Sequence, residues 1–414
     1  MVAAAIRLPA WVGRSALVEP FRNPAYRAFW GGNALAQAAD QLQIVALAVL
    51  ALDLTRSAAT LGLILAAQAV PRTLLMLLGG VVADRVRPRT VLAVAWTGLG
   101  LVGGALAGLL AAGHAAAWQL YVYAAAVGVL YAFVVPAQQA IVPSLVPGER
   151  MRSAFALNTM TFNLMMFLVP PAAGVLVAGA GAALAFAVMA GCCAAGALCL
   201  LVVRPAAVAP KAAASPLAQL REGLVVVRRD ALLLTATAAA WVYSLGFTGV
   251  AQVGVPALAK LDLGAGDRGI GVLFGASGAG ALLGAVAVGA VPRVPRQGLV
   301  ACGTLVAMGL GLAAVAGAPT LTAAAACLFA AGVARAFTAV TYTTLVQTQA
   351  PAEARGRVMA LFMLGVTGLA PLSLGLGGLL ADALGPRGVF VAGGAAIGAA
   401  GLLCLARPAF RRAA

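Results

Sequence analysis

Charge is scarce in this chain. Only 9% of its 414 residues are Asp, Glu, Lys or Arg, against roughly a quarter in an ordinary soluble domain. With 63% of the residues apolar, no single water-soluble fold could cover its own surface. High hydrophobicity without a glycine repeat also excludes a disordered or collagen-like chain. The six cysteines (Cys192, Cys193, Cys199, Cys302, Cys327 and Cys404) lie in apolar stretches, with no Cys-x2-Cys spacing and no accompanying histidine. That excludes a disulfide framework and a zinc site. The one histidine, His114, falls in a loop. No Gly-x4-Gly-Lys-Ser/Thr loop is present, so ATP drive is not expected. Neither a Ser–His or Cys–His arrangement nor a pair of acids within an apolar segment supports catalysis. The chain is therefore not expected to be an enzyme or to hold a cofactor or metal.

What is there is apolar length. Stretches of about 20 residues, enough for a helix to cross a bilayer core, recur throughout. They predict spans at 29–52, 61–82, 90–112, 117–135, 154–179, 182–203, 231–256, 269–290, 298–316, 320–349, 357–381 and 387–406. Turn residues separate them, as at Pro147-Gly148, Pro292-Arg293 and Gly385-Pro386. Before the first span, residues 1–28 contain four Arg and three Pro and no apolar run, so no signal peptide is expected. The expected organisation is an N-terminal segment (1–28), a six-helix lobe (29–203), a polar linker (204–230), a second six-helix lobe (231–406) and a tail (407–414).

The basic residues set the orientation. With both termini inside, 21 of the 27 Lys and Arg fall in inside segments, whereas Arg56, Lys260, Arg268 and Arg387 fall outside and Arg72 and Arg335 lie within spans. This is a positive-inside pattern. Basic residues spread along one membrane face in short loops also argue against nucleic acid as a partner; anionic lipid fits them better. A multi-pass protein of the cell (inner) membrane with cytoplasmic termini is expected.

The halves share a register. Pro147-x-Glu149 recurs as Pro351-x-Glu353, Ala156-Leu157 as Ala360-Leu361, Gly174 as Gly378 and Gly80 as Gly284, all offset by 204. Such repeats belong to transporters whose sites lie near the midplane between the halves. Between spans two and three, Gly80-Val-Val-Ala-Asp84-Arg85-Val-Arg-Pro-Arg89 resembles the Gly-x3-Asp-Arg-x-Gly-Arg-Arg loop of the major facilitator superfamily. Phe29-Trp30, Ala39-Asp40, Leu50-Ala-Leu-Asp53-Leu-Thr55, Gln68-Ala-Val-Pro71-Arg72, Pro136-Ala-Gln-Gln-Ala140 and Arg355-Gly356-Arg357-Val358-Met359 are similar to its drug- and siderophore-exporter branch, which includes macrolide efflux pumps and the enterobactin exporter. The sequence departs from that pattern at Arg87-Pro88, where the loop usually has Gly-Arg, and at Gln138, where the branch often carries Arg. The resemblance implies an all-α membrane protein with twelve transmembrane helices in two pseudo-symmetric six-helix lobes.

Polar side chains on one face of a span mark a watered path. Span one carries Asn33, Gln37, Asp40 and Gln41; span seven Trp241, Ser244, Thr248 and Gln252; span ten Arg335, Thr338 and Tyr342; span four, more weakly, Tyr123 and Tyr131. The superfamily lines its central cavity with the first helix of each three-helix unit, and these are those helices. Asp40 and Arg72 lie ~17 Å and ~15 Å from the inside ends of adjacent antiparallel spans, at 1.5 Å per residue. Either charge alone near the midplane would cost ~2.5–3.5 kcal/mol, so a direct Asp40–Arg72 pair is expected, acting either as a proton-coupling site or as a permanent structural ion pair. Arg335, with no acid in its own helix, either contacts an anionic or carbonyl-rich substrate or bonds carbonyls and snorkels.

The resemblance makes Gly80, Asp84, Arg85 and Arg89 a cytoplasmic gate, with Glu149, Arg152, Glu353 and Arg357 completing it. Val288 stands where the second half would carry the acid. The expected function is a monomeric secondary transporter that exports a small amphipathic or apolar molecule by alternating access, exchanging it for protons. An importer, a differently coupled porter or a non-transporting membrane sensor are the alternatives.

Overall fold

The computed structural model describes residues 19–146, 148–204, 216–290, 296–408 and 410, and they form helices joined by short turns, with no strand among them. Pro147 and the Pro292-Arg293 turn lie outside the described residues, as do the side chains of Asp84 and Glu149. Spans one to four are Pro24–Thr55, Ala58–Arg85, Pro88–Ala111 and Ala117–Leu145. Local chemistry sets their starts. Asn23 and Ser57 accept from the backbone N–H groups of Ala25 and Thr60, covering donors that a helix start leaves open. Pro24 and Pro88 sit in the first turns of their helices, where no amide is needed.

The next helical run, Met151–Val202, has 52 residues. At 1.5 Å per residue that is ~78 Å, far more than a ~30 Å bilayer core. It doubles back at Gly181, which adopts φ 80° and ψ 166°, a conformation open essentially to glycine alone. Its two arms are spans five and six. The second half repeats the device. Arg355–Gly368 and Ala370–Ala406 fold back at Gly385, with φ 76° and ψ 163°, and Gly385 lies 204 residues after Gly181. Span seven starts at Ala231, and spans eight, nine and ten are Gly266–Ala290, Gln297–Ala316 and Leu321–Gln349. Among the described residues, ten helical stretches are long and apolar enough to cross a membrane. Counting each arm of the two hairpins, the chain makes twelve crossings, six per half.

Two features differ from the sequence reading. Span seven runs well past residue 256, through π-helical turns at Val250–Gly254 and Leu258–Asp262. The polar segment between the halves holds a helix, Pro216–Arg229. Its Glu222 pairs with Arg357 at 2.6 Å, fastening it to the start of span eleven.

Glycine sets how closely the halves approach. A methyl on Gly62 of span two would stand 2.6 Å from the Leu374 carbonyl oxygen of span eleven, and one on Gly174 of span five would stand 2.8 Å from the Asp267 carbonyl oxygen of span eight. Backbones meet there without side chains between them, as in other small-residue membrane crossings. Both crossings lie toward the face opposite the termini. At the other end of span two, a methyl on Gly80 would meet nothing within 4 Å. Among the described residues, the side-chain hydrogen bonds and ion pairs joining the halves lie at the face opposite the termini or at mid-depth.

Candidate functional site

Asp40 and Arg72 do not pair directly. Among the described residues neither takes part in an ion pair, so the expected Asp40–Arg72 bridge is corrected. Equal depth was the basis of that expectation, but depth does not set the angle at which two helices present their side chains. Tyr131 of span four lies near both. The Arg72 guanidinium lies 5.3 Å from the centre of its ring, in cation–π range, and Asp40 acts electrostatically on its hydroxyl. That hydroxyl is buried without a hydrogen-bond partner.

Behind Asp40 a relay leads into the first half. Gln43 Nε2 donates to Asp40 Oδ1 at 3.3 Å, and the Tyr123 hydroxyl donates to Gln43 Oε1 at 3.1 Å. Tyr123 is buried against Phe186 of span six, so it supports the acid from behind. Gln43, not singled out in the sequence, is fully buried. A buried amide three residues from an acid in a span is the signal that could have found it.

Arg335 of span ten meets no carboxylate among the described residues. Its Nη2 donates to Met166 Sδ of span five at 3.6 Å, and its guanidinium lies 5.7 Å from the centre of the Phe247 ring. Phe247 stacks on Tyr243, with centroids 5.6 Å apart and rings 8° from parallel. Arg335 Nε is buried without a partner. This cation thus reaches across the boundary between the halves with hydrogen-bonding capacity to spare.

The other polar residues of spans seven and ten divide. Ser244 donates to the Val366 carbonyl, and Trp241 presses its indole nitrogen on Gly365, both on span eleven. Tyr342 donates to Cys404 Sγ of span twelve at 3.9 Å, and Thr338 donates to the Ala334 carbonyl of its own helix. These four are taken up by packing within the second half. Thr248 and Gln252 are half-buried, and Gln252 belongs to the first π-helical turn. Gln41 is buried at 8% exposure.

Nearer the terminus-bearing face, spans one, four and five line an open recess of about 320 Å³. Asn33 and Gln37 line it, and Gln138 Nε2 donates to Asn33 Oδ1 at 2.6 Å.

The gate residues at that face are only partly joined. Arg89 donates to the Leu201 carbonyl at 3.0 Å, linking spans three and six. Arg357 binds Glu222 and the Glu353 carbonyl. Arg85 and Arg152 are exposed. The Asp84 latch to span eleven and the role of Glu149 fall on side chains outside the described residues.

The opposite face holds a polar closure that sequence reasoning missed. Lys260 Nζ lies 2.6 Å from Asp53 of the first half and 2.7 Å from Asp267 of its own half. Asp382, beyond span eleven's crossing of span two, accepts from the Ser57 hydroxyl at 2.8 Å and the Ala58 backbone N–H at 2.9 Å. A carboxylate from the second half therefore sits on the start of span two, where a helix N-terminus favours negative charge.

The family model described as Major Facilitator Superfamily matches residues 29–373 and 253–413. The comparison with curated proteins finds no match. Among solved structures, the chain is similar to the nucleoside transporter NupG, with TM-score 0.73 at 13% identity over 92% of this chain and 99% of that one. It is also similar to a D-xylose-proton symporter, with TM-score 0.71 at 15% identity over 94% and 98% of the two chains. A bacterial homologue of the lysosomal transporter Spinster, inward-facing and occupied, gives TM-score 0.67 at 15% identity over 95% and 96%. At these identities the likeness is one of fold.

Proposed function

The chain belongs to the major facilitator superfamily, and from that membership we propose that it is a proton-coupled exporter of a small amphipathic molecule, working by alternating access. Membership makes it a membrane transporter. Direction and coupling are our reading. The positive-inside distribution of Lys and Arg supports cytoplasmic termini, and on that orientation the lobes are closed toward the outside. The resemblance of spans one, two and four to the drug- and siderophore-exporter branch supports export.

One observation carries the coupling: Asp40 is a mid-depth acid with no cation paired to it among the described residues. A carboxylate there is costly while cut off from water and cheap when hydrated. A cavity opening to alternate sides would make Asp40 take a proton from one side and release it to the other. Gln43 donates to Asp40, and Arg72 on the Tyr131 ring adds positive potential nearby. Rocking at the glycine crossings would exchange the outer closure for an inner one, a shift between two pre-existing states. Arg335 offers a contact for a carbonyl-rich or anionic end of the substrate.

The test is purified protein in liposomes with an imposed pH gradient, screened with drugs and siderophores. Substrate movement against inward proton flow is expected. Substrate moving with protons would make the protein a symporter, and movement indifferent to the pH gradient would remove proton coupling.

A further inference from the structure

The recess near the terminus-bearing face has a chemistry of its own. Three helical faces build it. Phe155, Asn158 and Phe162 lie at i, i+3 and i+7 on span five, Asn33 and Gln37 at i and i+4 on span one, and span four supplies Gln138. The lining residues carry no formal charge. Amides from all three helices converge beside two phenylalanine rings that are 41% and 45% exposed.

The hydrogen bonding of these amides is incomplete. Asn33 Oδ1 is satisfied by Gln138, but Gln37 Oε1 and Asn158 Oδ1 are buried without partners. An acceptor buried in this way calls for a donor. The volume of about 320 Å³ is room for roughly ten waters at about 30 Å³ each, or for one or two fused rings with a few substituents.

We propose that this recess binds a neutral, planar ring bearing N–H or O–H donors, as the ring portion of the transported molecule. The donors bond to Gln37 and Asn158, and the ring lies against Phe155 and Phe162. A charged group finds no counter-ion here, and an aliphatic chain leaves both acceptors unmet. The assignment rests on the transport reading and narrows it to a substrate class.

Equilibrium binding to the full-length protein in nanodiscs tests it, with uracil and nicotinamide as neutral rings and with benzoate and tetraphenylphosphonium as charged probes. The neutral rings are expected to bind at least tenfold more tightly than either charged probe. Gln37→Leu and Asn158→Leu should each weaken them about fivefold, the value of one neutral hydrogen bond. Asn158→Asp, nearly equal in size to the native residue, should gain tetraphenylphosphonium binding, a readout that survives if a leucine variant folds poorly. Failure of the neutral rings to bind, equal binding of charged probes, or binding indifferent to both leucine variants would overturn the assignment. Liposome transport separates this from the exporter reading. Neutral rings bound but not moved would support the recess and count against export, whereas charged probes moved without neutral rings binding would support export and overturn the recess.

Discussion

The closure at the face opposite the termini gives a prediction whose size can be worked out. Among the described residues, two polar side-chain contacts there join the halves: Lys260–Asp53, and Asp382 with Ser57 and Ala58. If they exist only while that face is shut, removing them moves the population toward the state open there. The Asp53 side chain is 53% exposed and that of Lys260 17%, so Asp53→Asn should cost the closed state about 0.5 kcal/mol, within the range for exposed ion pairs. Lys260 keeps Asp267 as a partner, so no charge is left stranded. Asp382→Ala removes two charge-assisted bonds, which would be worth ~1.5–3 kcal/mol each if buried. Because Asp382 is exposed, about 1 kcal/mol for the pair is the better figure. The contacts share no partner, so the effects should nearly add, to about 1.5 kcal/mol or roughly a tenfold shift in the closed-to-open ratio. Spin labels on the first-half and second-half rims of this face, read by pulsed electron resonance, would report it. The long-distance population should grow about twofold for Asp53→Asn and about tenfold for the double variant. An unchanged distribution, or growth of the population open at the terminus-bearing face, would refute the assignment of these contacts as a closure.

Asp40→Asn should abolish transport driven by a pH gradient while leaving substrate exchange at equal pH within about threefold of wild type, measured by counterflow; loss of both would make Asp40 a structural residue. Gly385→Ala places a β-carbon at φ 76°, at about 1–3 kcal/mol, and thermal unfolding in detergent should show a Tm lower by several degrees, with Gly181→Ala behaving alike. Arg335→Met should fill the space beside Phe247 and leave Tm nearly unchanged, yet weaken a carbonyl-rich substrate by about tenfold in binding assays; unchanged affinity would confine Arg335 to packing between the halves.

Much of the fold is readable from residue order because the bilayer permits so few solutions. Apolar length marks each span, and the 204-residue register predicts that a device in one half recurs in the other, as Gly181 and Gly385 do. The π-helical turns of span seven have no such signature, since their residues are as apolar as any α-helical ones. The helix Pro216–Arg229 is too polar to register as a span and was read as linker. At the site, helical spacing identifies the polar face of a span but not the neighbour that face meets. Trp241 and Ser244 share a stripe with Thr248, yet both contact span eleven. Tyr342 follows Thr338 by four residues and contacts span twelve. Asp40 and Arg72 agree in depth, but they do not pair, because helix rotation is set by packing. No local pattern marks the pairings of Asp53, Lys260 and Asp382, because they depend on a contact between halves that are far apart in the chain.

The central claim is that one proton moves through Asp40 for each turn of the cycle, opposite in direction to the substrate. Simultaneous measurement of proton and substrate flux in liposomes, with a pH-sensitive dye inside and labelled substrate, tests it most directly. The account predicts opposed fluxes in constant ratio for the wild type, and substrate flux without proton flux for Asp40→Asn. Proton flux that persists with substrate in the Asp40→Asn protein would contradict it.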